Sequence, residues 1–209
     1  MKPQKIKVYC HEKDCLGSKI ISWSGEYIPR FFCKKHSHRY ISADYHVKKN
    51  MDKEQKLADS LTNKFDFLKD NCQIIRIRRI TLQVPSDKLK DVLEFVKNSL
   101  EFDQLCTITG LDCVDKFQAI YQVANKDGII ISIKLDISKD KPVINTIFQI
   151  YNGSTFYERE LTDLLGIQVE GLPAGRRYPL PDGWPEGQYP LRKDWKHDSS
   201  CLTKGGNNG

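Results

Sequence analysis

Ile129, Ile131, Ile133, Leu135 and Ile137 stand at every second position, with Ser132, Lys134 and Asp136 between them. Successive side chains of a strand point to opposite faces, so this stretch buries its apolar residues only as a strand with one covered side. Upstream, Phe117, Ala119, Tyr121 and Val123 alternate in the same way with Gln118 and Gln122. Between the two runs, Asn125-Lys126-Asp127-Gly128 is turn chemistry. The pair is therefore a hairpin with one apolar face, and that face demands a cover.

The cover is legible nearby. Leu57, Leu61, Phe65 and Leu68 recur at helical spacing within residues 52–71. Leu89, Val92, Leu93, Val96 and Leu100 form a second apolar stripe, with Ser86 as its expected N-cap after Pro85. Residues 73–84 read as one strand, with Ile80, Leu82 and Val84 on one face and Thr81 and Gln83 on the other. A last helix runs from about Thr155 to Leu165. Thr155 and Glu158 read as a capping box, and Gly166 as the stop. The expected class is α+β: a mostly antiparallel sheet with helices on one face. No internal repeat is visible.

After that helix the periodicity ends. Residues 167–198 carry Pro173, Pro179, Pro181, Pro185 and Pro190 among Tyr178, Trp184, Tyr189 and Trp195, with Arg176, Arg177, Arg192 and Lys193. Such a stretch has too many prolines for a helix or central strand and too many aromatics for an idle linker. It is expected to gain order by lying on another surface. Residues 199–209 read as a loose tail. The expected organisation is a basic Cys/His segment (1–50), an α+β domain (51–152), a helix with an extended tail (153–198) and the end (199–209).

The net charge of +6 is concentrated at the start: residues 1–50 hold 11 Lys and Arg against 4 Asp and Glu. Such a shift marks a boundary, and the basic piece suits an anionic surface or solvent. Seven cysteines, an odd number, argue against a disulfide scaffold. Cys72, Cys106 and Cys113 sit among apolar residues and are expected to be small buried hydrophobes. Cys10-x4-Cys15 and Cys33-x2-His36 form two short chelating pairs, which fit a structural zinc site, with His38 or His11 as possible substitutes. Unligated thiols are the competing reading, and the four-cysteine set usual for an iron–sulfur cluster is absent. No apolar run approaches the ~20 residues a membrane helix needs, and no apolar segment follows the early lysines as in a secretory signal. Trp23, Tyr27, Phe31 and Phe32 in the basic segment also suit nucleic-acid stacking, although no nucleic acid is expected as a partner.

The run Tyr157-Glu158-Arg159-Glu160-Leu161-Thr162-Asp163-Leu164-Leu165-Gly166-Ile167 resembles the Glu-Arg-Glu-x-x-Asp signature of the 30 kDa subunit family of respiratory complex I. The same family supplies subunits of membrane-bound energy-converting nickel–iron hydrogenases and formate hydrogenlyases. The resemblance continues through Gly171-Leu172-Pro173, Arg176-Arg177, Leu180-Pro181-Asp182-Gly183-Trp184-Pro185-Glu186 and Pro190-Leu191-Arg192-Lys193-Asp194-Trp195. It is strong over residues 143–195. Residues 52–142 match only in the order of elements, and residues 1–50 match nothing in the family. Leu172 stands where the complex I branch has a histidine, and Tyr178-Pro179 replaces an aliphatic pair, which tilts the resemblance to the hydrogenase branch.

Read from spacing alone, Glu158, Arg159, Glu160 and Asp163 are a charged helix face, with Arg159 and Asp163 at i,i+4. The resemblance implies more: that Glu158, Arg159, Glu160 and Asp163 hold the helix start and the tail. It also implies that Arg176, Arg177, Arg192 and Lys193 meet partner carboxylates and that Trp184, Tyr189 and Trp195 are anchors. The partners it implies are the large catalytic (49 kDa-like) subunit and the small iron–sulfur subunit of one complex. Iron–sulfur clusters and the nickel–iron site would lie in those subunits, with the membrane arm contacted indirectly. The implied place is the cytoplasmic, peripheral face. No nucleophile elbow, phosphate loop, dinucleotide fingerprint or HExxH helix is present, and Glu158 and Glu160, at i,i+2, diverge too far to share a substrate.

Overall fold

The computed structural model describes residues 51–196 in full and, within the first fifty, the backbone of three strands. These are β1 (Gln4–Cys10), β2 (Ser18–Trp23) and β3 (Ile41–Ser42), an antiparallel sheet in the order β2-β1-β3. Cys10 ends β1 opposite Ile41. Cys15, Cys33 and His36 lie outside the described residues, as do the side chains of this unit. The chain divides into two compact units, Met1–Lys49 and Asn50–Gly209.

The second unit runs α1 (Asp52–Lys64), β4 (Cys72–Arg76), β5 (Arg79–Gln83), α2 (Leu89–Leu100), β6 (Gln104–Asp112), β7 (Lys116–Ala124), β8 (Ile130–Ser138), β9 (Val143–Asn145), α3 (Ser154–Leu165) and β10 (Gln168–Glu170). Five strands form one sheet in the order β4-β5-β8-β7-β6. All neighbours are antiparallel except β5 and β8, which run parallel because α2 and two further strands intervene between them. The register lines up Ile108, Tyr121, Ile133 and Leu82 across four strands, all buried. Under the helices this row joins Leu61, Val92, Leu93, Val96, Leu161 and Leu165 in one core. The α+β class and the one-sided apolar hairpin are as the alternation dictates.

Some expectations are corrected. Residues 73–84 are two strands rather than one. The chain reverses at Ile77-Arg78 with no glycine or proline, because Arg78 takes a left-handed conformation (φ 59°) and its N–H donates to the buried Glu54 carboxylate at 2.7 Å. Ser86 does not cap α2. Ser86–Lys88 is a single 3-10 turn, and α2 begins at Leu89. Cys72, Cys106 and Cys113 are half-buried rather than buried. Strand β6 lacks the apolar alternation that marks β7 and β8, and the short parallel pair β9 and β10 gives no sequence signal of its own.

α3 lies on β6, the edge strand, and Gly110 decides how closely. A Cβ there would stand 2.4 Å from Leu165 Cδ1 and 2.6 Å from Leu161 Cδ2, so only glycine lets the helix seat its leucines against the sheet. α3 ends as the sequence indicates, on Gly166 in the left-handed conformation (φ 73°), whose N–H donates to Thr162 O.

Candidate functional site

The residues of the Glu-Arg-Glu-x-x-Asp run leave α3 in three directions. Glu158 is fully buried, and its carboxylate accepts from Thr146 Oγ1 (2.6 Å) and from the Ile147 N–H (2.7 Å). The expected capping box is therefore absent. α3 starts at Ser154 behind Gly153 with no side-chain cap, and Glu158 instead satisfies the loop that leads out of β9. Tyr121, beneath α3, has its phenol pushed far up by burial, with the Glu158 charge adding to the effect.

Arg159 and Asp163 do not pair with each other as i,i+4 neighbours. Each reaches the chain beyond β10. Arg159 Nη2 donates to Pro173 O (3.0 Å) and Ala174 O (3.4 Å). Its guanidinium lies against Gly175, where a Cβ would come within 2.1 Å of Nη2. Asp163 accepts from Arg177 Nε (3.2 Å) and from the Tyr178 N–H (3.3 Å), and Arg177 Nη1 donates onward to Trp184 O (2.9 Å). Glu160 faces solvent. The single hydroxyl proton of Thr162, between them, is shared between Glu158 O (3.1 Å) and Ile167 O (2.9 Å) and tightens the helix end.

The tail is thus a strap held by its own helix. Arg192 Nε donates to Leu165 O (2.7 Å), one of the carbonyls left open at the end of α3, while its guanidinium stacks on Tyr189 and Phe117. Gly166 matters again here, since a Cβ would stand 2.6 Å from both Tyr189 and Arg192. The Lys193 N–H donates to Asp112 Oδ2 (3.0 Å), and Lys139 Nζ lies 2.6 Å from Asp112 Oδ1. Burial opposes ionisation of Asp112, but Lys139 and the N–H groups of Lys193 and Val114 outweigh it and bring its carboxyl down to about 2. Trp184 and Trp195 meet at 6.2 Å and share Gln188, to whose carbonyl and side-chain oxygens their indole N–H groups donate.

The roles expected from the sequence are redistributed by this geometry. Arg177 and Arg192 are occupied within the chain. Arg176 is exposed and, among the described residues, pairs with the exposed Asp182 at 3.4 Å. Missed by sequence reasoning are Thr146, Asp112 and Gly175, none of which stands in a pattern that sets it apart, and the exposed Phe156, whose ring meets that of Tyr178, named among the tail aromatics, edge to face at 5.2 Å. Among the described residues no cluster of metal-ligating side chains occurs, and no helix is long and apolar enough to cross a membrane.

The profile of a family described as respiratory-chain NADH dehydrogenase, 30 Kd subunit, matches residues 82–200, which takes in most of the sheet, α3 and the strap. The chain belongs to this family. A subunit of the F(420)H(2) dehydrogenase of Methanosarcina mazei is 35% identical over 143 residues, 67% of this chain and 90% of that protein. The beta subunit of the membrane-bound hydrogenase of Pyrococcus furiosus is 42% identical over 77 residues, 37% of this chain and 44% of that one. Among solved structures, a chain of the membrane-bound sulfane sulfur reductase, an archaeal respiratory membrane complex, superposes with a TM-score of 0.60 at 27% identity, covering 69% of this chain and 86% of that one. The relatives thus include subunits of a dehydrogenase and of a membrane-bound hydrogenase and a chain of a respiratory membrane complex.

Proposed function

We propose that this chain is a non-catalytic structural subunit of a membrane-bound respiratory redox complex. In this reading it docks through α3 and the strap on the catalytic large subunit of an energy-converting nickel–iron hydrogenase, at the peripheral face of the complex. The observation that carries the reading is the division of labour on α3. Arg159 and Asp163 turn inward to lock the strap and Glu158 holds the loop after β9, while Phe156 and Tyr178 stay exposed at 52% and 67%. Two large aromatics in mutual contact on a rigid surface are what a protein interface uses as anchors. The half-exposed Trp184 and Trp195 extend the same aromatic character along the strap.

A second reading has a specific observation behind it. The Methanosarcina mazei relative, matched over most of its length, is a dehydrogenase subunit, which favours the dehydrogenase branch and the 30 kDa subunit of an NADH:quinone oxidoreductase-like complex. Leu172-Pro173 and the Arg176-Arg177 pair support the hydrogenase branch. In either branch the redox groups would belong to the neighbouring subunits.

The test is native purification through an affinity tag on this chain. Wild type is expected to bring down a large subunit and a small iron–sulfur subunit. Nickel in that large subunit supports the hydrogenase branch, and its absence beside a dehydrogenase module supports the other. Phe156→Glu with Tyr178→Glu, both at exposed positions that leave the core intact, is expected to lower recovery of the large subunit on the order of 10-fold or more. Undiminished recovery would overturn the docking surface.

A further inference from the structure

Between the second half of α3 and residues 172–177 lies an open cleft of about 460 Å³. Arg159, Arg176 and Arg177 line it, against a single carboxylate, Asp163. Asp163 is already taken by Arg177 and the Tyr178 N–H. Arg159 is half-buried, makes its hydrogen bonds through Nη2 alone, and forms no ion pair among the described residues. Its Nε–H and Nη1 donors, which lie on different edges of the guanidinium, are therefore uncommitted among those residues, while its head is held against Gly175. A partly desolvated guanidinium without a counter-charge is unfavourable unless a partner supplies one. With Nη2 taken, the fixed guanidinium still offers a carboxylate one charge-assisted contact, through Nη1.

We infer that this cleft receives a carboxylate side chain, Asp or Glu, from a segment of the neighbouring subunit. The inference rests on the docking reading above and names the chemistry of the partner. Arg159 supplies one fixed contact through Nη1, and Arg176, exposed at the rim, closes over the same carboxylate from the other side. Two features select a protein segment over a free anion. Val169, Leu172 and Pro173 form an apolar wall suited to the stem of an acidic side chain. Tyr178, next in sequence to Arg177, makes the rim continuous with the Phe156 and Tyr178 anchor pair. A phosphate ion has no use for either. Glycine at 175 is then a requirement of the site, because any side chain there would displace the Arg159 head.

The purified membrane complex carrying Arg176→Lys is to be treated with a water-soluble carbodiimide, which joins an amine to a carboxylate in direct contact. Peptide mapping is expected to show position 176 linked to an Asp or Glu of a neighbouring subunit, with no such link in wild type. In parallel, Arg159→Gln, whose side chain can still donate toward Pro173 and Ala174, is expected to reduce large-subunit recovery on the order of 10-fold. Arg176→Glu is expected to reduce it as well, and as an exposed substitution it leaves folding intact. Linkage only to Asp182, or none, together with full recovery in both variants, overturns the carboxylate cleft. If the Phe156 and Tyr178 variant still loses its partner in that case, the docking reading stands without the cleft. If inorganic phosphate shifts the Gly175 amide resonance of the full-length chain and no cross-link forms, the cleft is a site for free anions instead.

Discussion

Glu158 shows how a charged residue in a helix run can be neither a solvated charge nor a catalytic group. It is fully buried, and its two oxygens hold Thr146 and Ile147, so the loop from β9 is fixed behind the first turn of α3. Removing it strands a hydroxyl and an N–H away from water. Glu158→Ala is expected to cost about 3 kcal/mol in chemical denaturation, the sum of two hydrogen bonds to a charged group. A loss below about 1 kcal/mol would show that the loop is held by other contacts. Asp112 acts at the far end of the strap. Its folded carboxyl, at about 2, lies below the ~3.9 of an unfolded aspartate. The stability it contributes is therefore complete above about pH 4 and is lost as the pH falls through about 2. Thermal melts across that window are expected to fall less steeply for Asp112→Asn than for wild type. Parallel curves would mean that Lys139 and Lys193 do not stabilise the folded carboxylate.

At the scale of elements, the contact between α3 and β6 is set by one missing side chain. Gly110→Val would push a branched side chain into the space of Leu161 and Leu165. It is expected to destabilise the chain by about 2 kcal/mol, as overpacking does, and to loosen the strap, because Arg159 and Asp163 ride on the helix that is lifted. Urea titration gives the first effect, and faster proteolysis between residues 172 and 192 gives the second. An unchanged urea midpoint would show that α3 does not bear on β6 at that point. The β4–β5 hairpin follows the same pattern of dependence on a distant group. Its turn at Ile77-Arg78 contains no residue that favours the left-handed conformation, and Glu54 on α1 supplies the acceptor that holds it.

For the whole molecule, the sheet, α3 and the strap form one compact unit, Asn50–Gly209. That unit is expected to fold without the basic segment. A fragment beginning at Asn50 should show one cooperative thermal transition close to that of the full chain, and a broad or absent transition would show that the first fifty residues are needed. The same two preparations test the zinc expectation for Cys10, Cys15, Cys33 and His36. About one zinc per full-length chain, none in the fragment, and loss on Cys10→Ser or Cys33→Ser is the result a four-ligand structural site requires.

The alternation in β7 and β8, the apolar stripe of α2 and the stop at Gly166 were determined by sequence alone, because each depends on residues near one another in the chain. The family, too, was legible in the run from Tyr157 to Ile167 and the proline-rich stretch after it. What the tertiary structure decided is where the charges go. Spacing offered Arg159 to Asp163 and Glu158 to its own helix start, yet every one of these groups is taken by a residue 11 to 15 positions away. A surface ion pair along a helix is worth only ~0.2–0.5 kcal/mol, whereas a buried carboxylate meeting stranded N–H groups is worth several times that. The stronger partners come within reach only after the strap has folded back over α3.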